Sequence, residues 1–239
     1  MFALGGVLAV TGILWLVLYK DVPGKARESK KKNKGNVRGN FKKVVKVKEI
    51  WLIALFYAFC NMSLISTISF LPIIFEERGM TKAGEAVAVI LGTSVLFNIL
   101  GGAISDTIGT RKIFLWSRAL VFGACVPAFG VFNGGLLIIF LVIAGAAMGT
   151  FAPIMMAVPV ELEKVGPALA GTAIGFIFMI GNAGGFIGPV LSGKLMDITG
   201  TFWSALLFMT VCFIAAALIV LPLQEKGSLN KNGASIRHH

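Results

Sequence analysis

Charged residues are scarce in this sequence: 14% of its 239 residues are Asp, Glu, Lys or Arg, whereas 56% are apolar. Soluble domains average about 25% charged and about 45–50% apolar residues, and the latter figure already includes glycine. The scarcity of charge excludes a water-soluble globular domain and a disordered chain. It predicts a membrane protein with the lipid bilayer as its surroundings.

Cysteine and histidine are also rare, with three and two residues. Cys60, Cys125 and Cys212 each lie in an apolar run, so they predict small buried residues and argue against a disulfide framework. Both histidines, His238 and His239, lie at the end of the chain. The sequence contains no set of metal ligands, no phosphate-binding glycine loop and no nucleophile arrangement. We therefore expect neither an enzyme nor a cofactor or metal.

Acidic residues are half as frequent as basic ones, 11 against 22, and the net charge is +11. Nucleic acid is a common partner of basic proteins, but little water-facing surface remains here to bind it. We expect no nucleic-acid partner.

Long apolar runs, by contrast, are plentiful. A helix needs about 20 apolar residues to cross a bilayer, and short polar connections rich in Gly or Pro separate runs of about that length. The runs predict seven transmembrane helices, at residues 2–19, 50–75, 83–104, 113–132, 136–160, 168–191 and 201–223.

One connection is long and basic. Residues 20–48 contain 12 Lys or Arg and two acids, and so hold +10 of the net +11. This composition is typical of a solvated loop. The domain prediction is a single helix at 1–19, the basic loop at 20–49, a six-helix bundle at 50–223 and a tail at 224–239.

The basic loop also predicts orientation. If it is cytoplasmic, 18 Lys or Arg lie in cytoplasmic segments and three lie outside. Positive charge accumulates on the cytoplasmic side of membrane proteins. We expect a multi-pass protein of the cell membrane with its N-terminus outside and its C-terminus in the cytoplasm.

Several glycines in the predicted spans lie four residues apart, a spacing that lets helix backbones approach closely in lipid. The pairs are Gly145 and Gly149, Gly171 and Gly175, Gly181 and Gly185, and Gly184 and Gly188.

The connection between the third and fourth spans carries a motif, G-x-x-x-D-x-x-G-x-R-K, formed by Gly102, Asp106, Gly109, Arg111 and Lys112. It resembles the signature loop of the major facilitator superfamily, a large family of secondary transporters. The resemblance implies a conformational latch that joins the two halves of a transporter when its site faces outward. The alternative is a turn that only sets topology. Many members have a basic residue after the aspartate, where this chain has threonine.

A second resemblance lies in the sixth span, where residues 181–193 read GNAGGFIGPVLSG. This stretch is similar to the eleventh helix of anion carriers in the same family. Aligned in this way, the chain corresponds to the family's sixth helix, central loop and helices seven to twelve. The resemblance implies an all-α membrane fold, in which one helix precedes a C-terminal six-helix bundle built as a 3+3 inverted repeat.

The resemblance also implies function: transport of a small solute, in particular an organic anion, by alternating access. Helices one to five of the family have no counterpart here. We expect a truncated or split transporter whose N-terminal half is missing or separate. A true half-transporter is one alternative, and a non-transporting membrane subunit or regulator that retains the half-fold is another.

Polar residues at mid-depth are the candidates for substrate binding, because family substrates bind near the midplane between the halves. Tyr57 and Asn61 are four residues apart and share a helix face. Asn98 and Asn182 add amides that are costly to expose to lipid. An interhelical hydrogen bond is the alternative role for each asparagine.

Arg118 is the clear charge inside a predicted span. Its guanidinium either snorkels to the cytoplasmic surface or contacts an anionic substrate. No carboxylate lies in the middle of a span, although such a group is the usual device for proton coupling. Symport would therefore depend on the absent half, and uniport or exchange is the alternative.

Overall fold

The computed structural model describes residues 14–15, 37–80, 83–108, 111–162 and 165–222. The chain divides into two compact units, Met1–Asn40 and Phe41–His239. In the first unit, Leu14 and Trp15 are helical, and a helix begins at Val37. The rest of the first predicted span, most of the basic loop and the predicted tail with His238 and His239 lie outside the described residues.

The described residues form helices and no strands, which confirms the expected all-α class. The helices with defined bounds are α1 (Val37–Val45), α2 (Lys48–Glu77), α3 (Ala83–Ile108), α4 (Arg111–Val131), α5 (Gly134–Gly149), α6 (Phe151–Glu161), α7 (Gly166–Thr199) and α8 (Phe202–Val220).

Three described stretches are long and apolar enough to cross a membrane: Lys48–Glu77 in α2, Leu169–Thr199 in α7 and Phe202–Val220 in α8. Shorter apolar stretches lie in α3, α4 and α5. The second, third, fourth, sixth and seventh predicted spans each coincide with one helix. The number of membrane crossings stays a prediction.

The fifth predicted span is interrupted at one residue, Thr150, whose φ of −69° and ψ of −4° depart from regular helix between α5 and α6. The Thr150 hydroxyl donates to the Ala147 carbonyl oxygen at 3.1 Å, and its N–H reaches the Ala146 carbonyl oxygen at 3.4 Å. Pro153 follows, and it lacks the N–H that would continue the helix ladder to Gly149. The apolar run at residues 136–160 has the length of one span, so its length did not reveal the interruption of the helix at Thr150.

Helices α2 and α7 pack side by side and run in the same direction. The contact depends on glycine: a Cβ at Gly184 would overlap the carbonyl oxygen of Ala58, and one at Gly188 would overlap that of Met62. These two positions therefore bring the helix backbones into direct contact, as the sequence predicts.

A second parallel pair, α3 and α5, is built in the same way. A Cβ at Gly145 would lie 2.6 Å from the Ile90 carbonyl oxygen, and one at Gly149 would overlap the Ser94 carbonyl oxygen. The predicted pair Gly171 and Gly175 is different, because nothing lies within 4 Å of a Cβ at either position. The prediction of close packing was wrong there, since that face of α7 meets no neighbouring helix of the described chain.

Helices α4 and α8 form an antiparallel pair. Gly123 of α4 faces Phe213, at 2.9 Å from a built Cβ to the Phe213 Cβ, and Gly130 faces Leu206. Residue numbers therefore rise along one helix as they fall along the other. Helix α8 also packs on α2, so it joins the pair α4 and α8 to the pair α2 and α7.

Arg78 ties the end of α2 to the end of α4. Its Nη1 donates to the Phe129 carbonyl oxygen, and its Nη2 donates to the Phe132 carbonyl oxygen at 3.0 Å and to Asn133 Oδ1 at 2.6 Å. A cation is favourable at the carbonyl end of a helix. Partial burial lowers the pKa of the Arg78 guanidinium from its ordinary value, which is high enough that arginine is effectively always protonated in proteins.

Replacement of Gly188 by alanine should destabilise the bundle. The added methyl group meets backbone, which cannot rotate away, so we expect a loss of about 1–3 kcal/mol in the free energy of unfolding. Gly175→Ala is the matched control, because the same helix has open space there and alanine favours helix by about 0.5–1 kcal/mol. Thermal unfolding of the purified variants in detergent measures both. Equal melting temperatures for the two variants would contradict the close contact.

Candidate functional site

Arg118 lies inside the bundle and is only 6% exposed. It shares the inward face of α4 with Leu115, Ala119 and Phe122, at helical spacings of three and four residues. The Phe122 ring of this face packs on Phe213 of α8, with centroids at 4.7 Å, and the Arg118 side chain extends towards Phe56 of α2. The expectation of snorkelling was therefore wrong, because the guanidinium is covered by neighbouring helices.

Aromatic rings surround the guanidinium. Its Cζ lies 3.6 Å from the ring centroid of Phe151, the first residue of α6, and 5.8 Å from that of Phe56. Cation–π contacts are worth about 2 kcal/mol when water is excluded. The break before α6 positions this contact, because Phe151 directly follows Thr150.

The guanidinium is not saturated with hydrogen bonds. Within the described residues, Nε and Nη1 of Arg118 have no hydrogen-bond partner. Cys60 and Tyr57 lie beside the guanidinium, and both side chains are ordinarily uncharged at neutral pH. A buried, unpaired cation costs several kcal/mol, which aromatic contact offsets only in part.

Tyr57 extends this cluster along α2. Its ring lies 5.1 Å from the centroid of Phe151 and 5.1 Å from that of Phe178. The ring occupies the space beside Gly181, where a Cβ would overlap it. The close approach of α2 and α7 is therefore also what accommodates Tyr57.

Asn61 connects the cluster to α7. Its Nδ2 donates to the Gly181 carbonyl oxygen at 3.3 Å and lies 3.5 Å from Asn182 Oδ1. Tyr57 and Asn61 both meet Gly181, the first with its ring and the second by its hydrogen bond, which confirms that the two residues share a face. The Asn182 side chain itself is exposed.

The structure thus brings together four of the five predicted substrate residues: Tyr57, Asn61, Arg118 and Asn182. We call them, with Cys60 and Phe151, the Arg118 cluster. Asn98 is apart from it, because its side chain lies on the exposed surface of α3 while its backbone faces Gly149.

Sequence reasoning missed Phe151 and Cys60 as neighbours of the cation. Phe151 was hidden inside an unbroken apolar run, and the Thr-x-x-Pro pattern at 150–153 was the available signal for the turn. Cys60 was correctly predicted to be buried, as were the other two cysteines, and all three are free thiols. The position of Cys60 beside the cluster could have been predicted, since it lies three residues after Tyr57 and therefore on the same face of α2.

The hydroxyl residues that follow Asn61 have structural contacts. Ser66 and Thr67 donate to the carbonyl oxygens one turn earlier, those of Met62 and Ser63, at 2.7 and 2.8 Å. Ser63 donates to the Met209 carbonyl oxygen at 2.7 Å and so ties α2 to α8.

The predicted latch lies at one end of α3 and α4. Gly102 and Asp106 belong to α3, and Arg111 and Lys112 begin α4. Gly109 and the side chains of the other four lie outside the described residues. No group of three or more potential metal ligands occurs in the described part of the chain.

Apolar helices of membrane-spanning length, packed through glycine around a buried cation, define a multi-pass membrane protein. Residues 81–237 match the family model of the Major Facilitator Superfamily, and the chain belongs to this family of transporters. It is therefore a member of a transporter family and not an enzyme.

Similar curated proteins are transporters. The inner membrane transport protein RhmT of Escherichia coli (strain K12) is 24% identical over 100% of this chain and 59% of its own length. The nitrite extrusion protein of Bacillus subtilis (strain 168) is 27% identical over 91% of this chain and 53% of its own length. The hexuronate transporter of the same bacterium is 25% identical over 90% and 56%. The chain spans about half the length of the relatives it matches.

Replacement of Arg118 by methionine should stabilise the chain in the absence of ligand. Methionine fills similar space without a buried charge, and such replacements stabilise proteins by about 1–4 kcal/mol. We expect a melting temperature higher by a few degrees in detergent. Lys194→Met is the control, because it removes an exposed positive charge. A lower melting temperature for Arg118→Met would show that the guanidinium has a partner outside the described residues.

Proposed function

We propose that this chain is the C-terminal half of a transporter that moves a small organic anion by alternating access, and that Arg118 binds the carboxylate of that anion. The observation that carries the proposal is a buried guanidinium with two donors that lack partners in the described chain. Ionisable groups held at membrane depth are rare and functional. A carboxylate would supply the missing counter-charge and charge-assisted hydrogen bonds.

Arginine is suited to this role because its guanidinium is permanently charged and matches the geometry of a carboxylate. Phe151 and Phe56 exclude water from the cation, and a low dielectric strengthens its attraction for an anion. The same rings provide apolar surface for the body of an organic solute. The environment therefore favours an organic anion over a neutral solute.

The neutral groups of the Arg118 cluster extend the proposed site. Tyr57, Asn61 and Asn182 offer hydroxyl and amide groups that can bond a hydroxylated solute, and Asn182 is exposed on α7. Asn98 is proposed as a further contact on α3, where the other half of the transporter would approach.

The names of two relatives agree with an anionic substrate. Nitrite and hexuronate, after which the two Bacillus subtilis proteins are named, are both anions at neutral pH. The hexuronate is also hydroxylated, as the amide and hydroxyl groups of the cluster would require. We therefore place sugar acids first among the candidate substrates.

Helix pairing supports the proposed 3+3 inverted repeat. In such a repeat, α2 corresponds to α5–α6, α3 corresponds to α7, and α4 corresponds to α8. The counterpart of the parallel pair α2 and α7 is then the parallel pair α5 and α3. The antiparallel pair α4 and α8 then maps onto itself. All three pairs occur, and rocking of such repeats about a central site is the basis of alternating access.

We further propose that the N-terminal half is supplied by a missing or separate segment, since the relatives are about twice as long. The proposed location is the cell membrane, with the N-terminus outside and the basic loop and C-terminus in the cytoplasm. No acidic residue acts on Arg118 in the described chain, so proton symport would draw its carboxylate from the other half.

A second candidate function is that of a non-transporting membrane subunit that retains the half-fold. Binding without transport distinguishes it from the first proposal.

Ligand binding tests the assignment of Arg118. Glucuronate should raise the melting temperature of the purified chain, and glucose, the matched neutral sugar, should not. Saturation at about 100 times Kd corresponds to about 2.7 kcal/mol of stabilisation. Arg118→Met should abolish this shift and Arg118→Lys should reduce it. Equal shifts with both sugars, or a shift retained in Arg118→Met, would contradict the proposal.

Uptake of labelled glucuronate by proteoliposomes that contain the chain, alone and with a co-produced N-terminal half, separates the two candidate functions. Transport in either arm supports the first, and binding without transport in both supports the subunit.

The latch is tested in the same transport assay. Asp106→Ala should lower uptake at least about fivefold, the lower range of coupling between distant sites, while the amount of membrane-inserted protein is unchanged. Thr107→Ala is the control at the neighbouring position where this chain departs from the family pattern. If the Asp106→Ala variant takes up solute at the wild-type rate, the latch proposal is wrong and the motif serves only to set topology.

A further inference from the structure

A compact group of lysines lies where α1 meets α2. Lys42, Lys43, Lys46 and Lys48 are all exposed, and we call them the lysine face. The nearest acid in the sequence, Glu49, is partly buried, whereas the four lysines are exposed. The lysine face is the end of a basic stretch, residues 20–48, and supplies four of its 12 basic residues.

The end of α1 is fixed in place by specific contacts. Val44 is fully buried, and the Trp51 Nε1 donates to the Val45 carbonyl oxygen at 2.9 Å. The rings of Phe41 and Trp51 both meet Phe176 of α7 edge to face, with centroids at 5.8 and 5.0 Å. The lysines are therefore presented by a packed element.

The lysine face lies next to the start of a membrane-crossing stretch. Only two residues separate α1 from α2, the Val47 N–H bonds to the Val44 carbonyl oxygen at 3.0 Å, and Val47 itself is extended. The helical ladder is thus interrupted just before α2, which begins at Lys48 and is long and apolar enough to cross a membrane. If α2 crosses the bilayer, α1 lies at one end of that span.

Apolar rings accompany the charges. Phe41 is 42% exposed and Trp51 is 38% exposed at the same end of α2. Tryptophan is enriched at the boundary between lipid and water, where its amphipathic ring is favourable. Helix α1 packs its apolar side on the bundle and leaves its lysines and part of Phe41 exposed, where lysines can meet lipid headgroups at the membrane surface.

We propose that the lysine face binds the headgroups of anionic phospholipids and holds α1 on the membrane surface. Lysines near an anionic surface contribute about 1 kcal/mol each, and their flexible stems let each ammonium reach a different phosphate. The proposal concerns lipid and does not depend on Arg118 or on a transported substrate.

Lipid retention by the full-length chain tests the proposal. The purified protein is equilibrated with equal amounts of phosphatidylglycerol and phosphatidylcholine, and the retained lipids are counted by native mass spectrometry. The wild-type chain should prefer phosphatidylglycerol. Exchange of all four lysines for glutamine should lower that preference at least about tenfold, since each charge contributes separately.

The matched control replaces the same four lysines by arginine, which retains the charge and should retain the preference. High salt should weaken the preference of the wild-type chain, because the Debye length falls to about 3 Å at 1 M. The four sites are exposed, so equal melting temperatures will show that each variant is folded.

Three outcomes would overturn the proposal: equal retention of both lipids by the wild-type chain, an unchanged preference in the glutamine variant, or a preference that salt does not alter. An unchanged preference combined with mixed orientation of the glutamine variant in vesicles would assign the lysines to topology alone. Retention of an acidic protein in place of lipid would assign the lysine face to a protein partner.

Discussion

The direct contact of α2 with α7 is the constraint on which the rest of the structure depends. Backbone meets backbone at Gly184 and Gly188, and apolar side chains gain little from contact with one another in lipid, so this packing must provide the attraction. One turn earlier, the same seam leaves room for the Tyr57 ring beside Gly181 and brings Asn61 within reach of the Gly181 carbonyl oxygen. The packing of α2 against α7 therefore also positions the polar residues of the Arg118 cluster on these helices.

Burial of Arg118 works against stability, and the proposed binding of an anion would account for it. The cation is covered by Phe151 and Phe56, and two of its donors lack partners in the described chain. Sites that are strained in the absence of ligand are typical of binding and transport. The turn at Thr150 matters for the same reason, because it begins a new helix at the residue that covers the cation.

Much of the fold could be predicted from the sequence, because long apolar runs identify membrane helices. Burial of Cys60, the shared face of Tyr57 and Asn61, and the contacts of Gly184 and Gly188 all follow from spacing within one helix. The close packing assigned to Gly171 and Gly175 failed, since spacing says which residues share a face and not which neighbour that face meets. The break at Thr150 was missed because hydropathy does not register a lost hydrogen bond.

The sequence by itself determined the all-α class, the family motif, the position of the basic stretch and the polar residues that could serve a solute. Only the tertiary structure decided that Arg118 turns inward, that Asn182 joins Asn61 while Asn98 does not, and that Phe151 lies on the guanidinium. The physical reason is distance along the chain. Composition and hydrophobic periodicity describe residues that are near one another in sequence. The neighbours of a buried charge come from helices that are distant in sequence and adjacent in space.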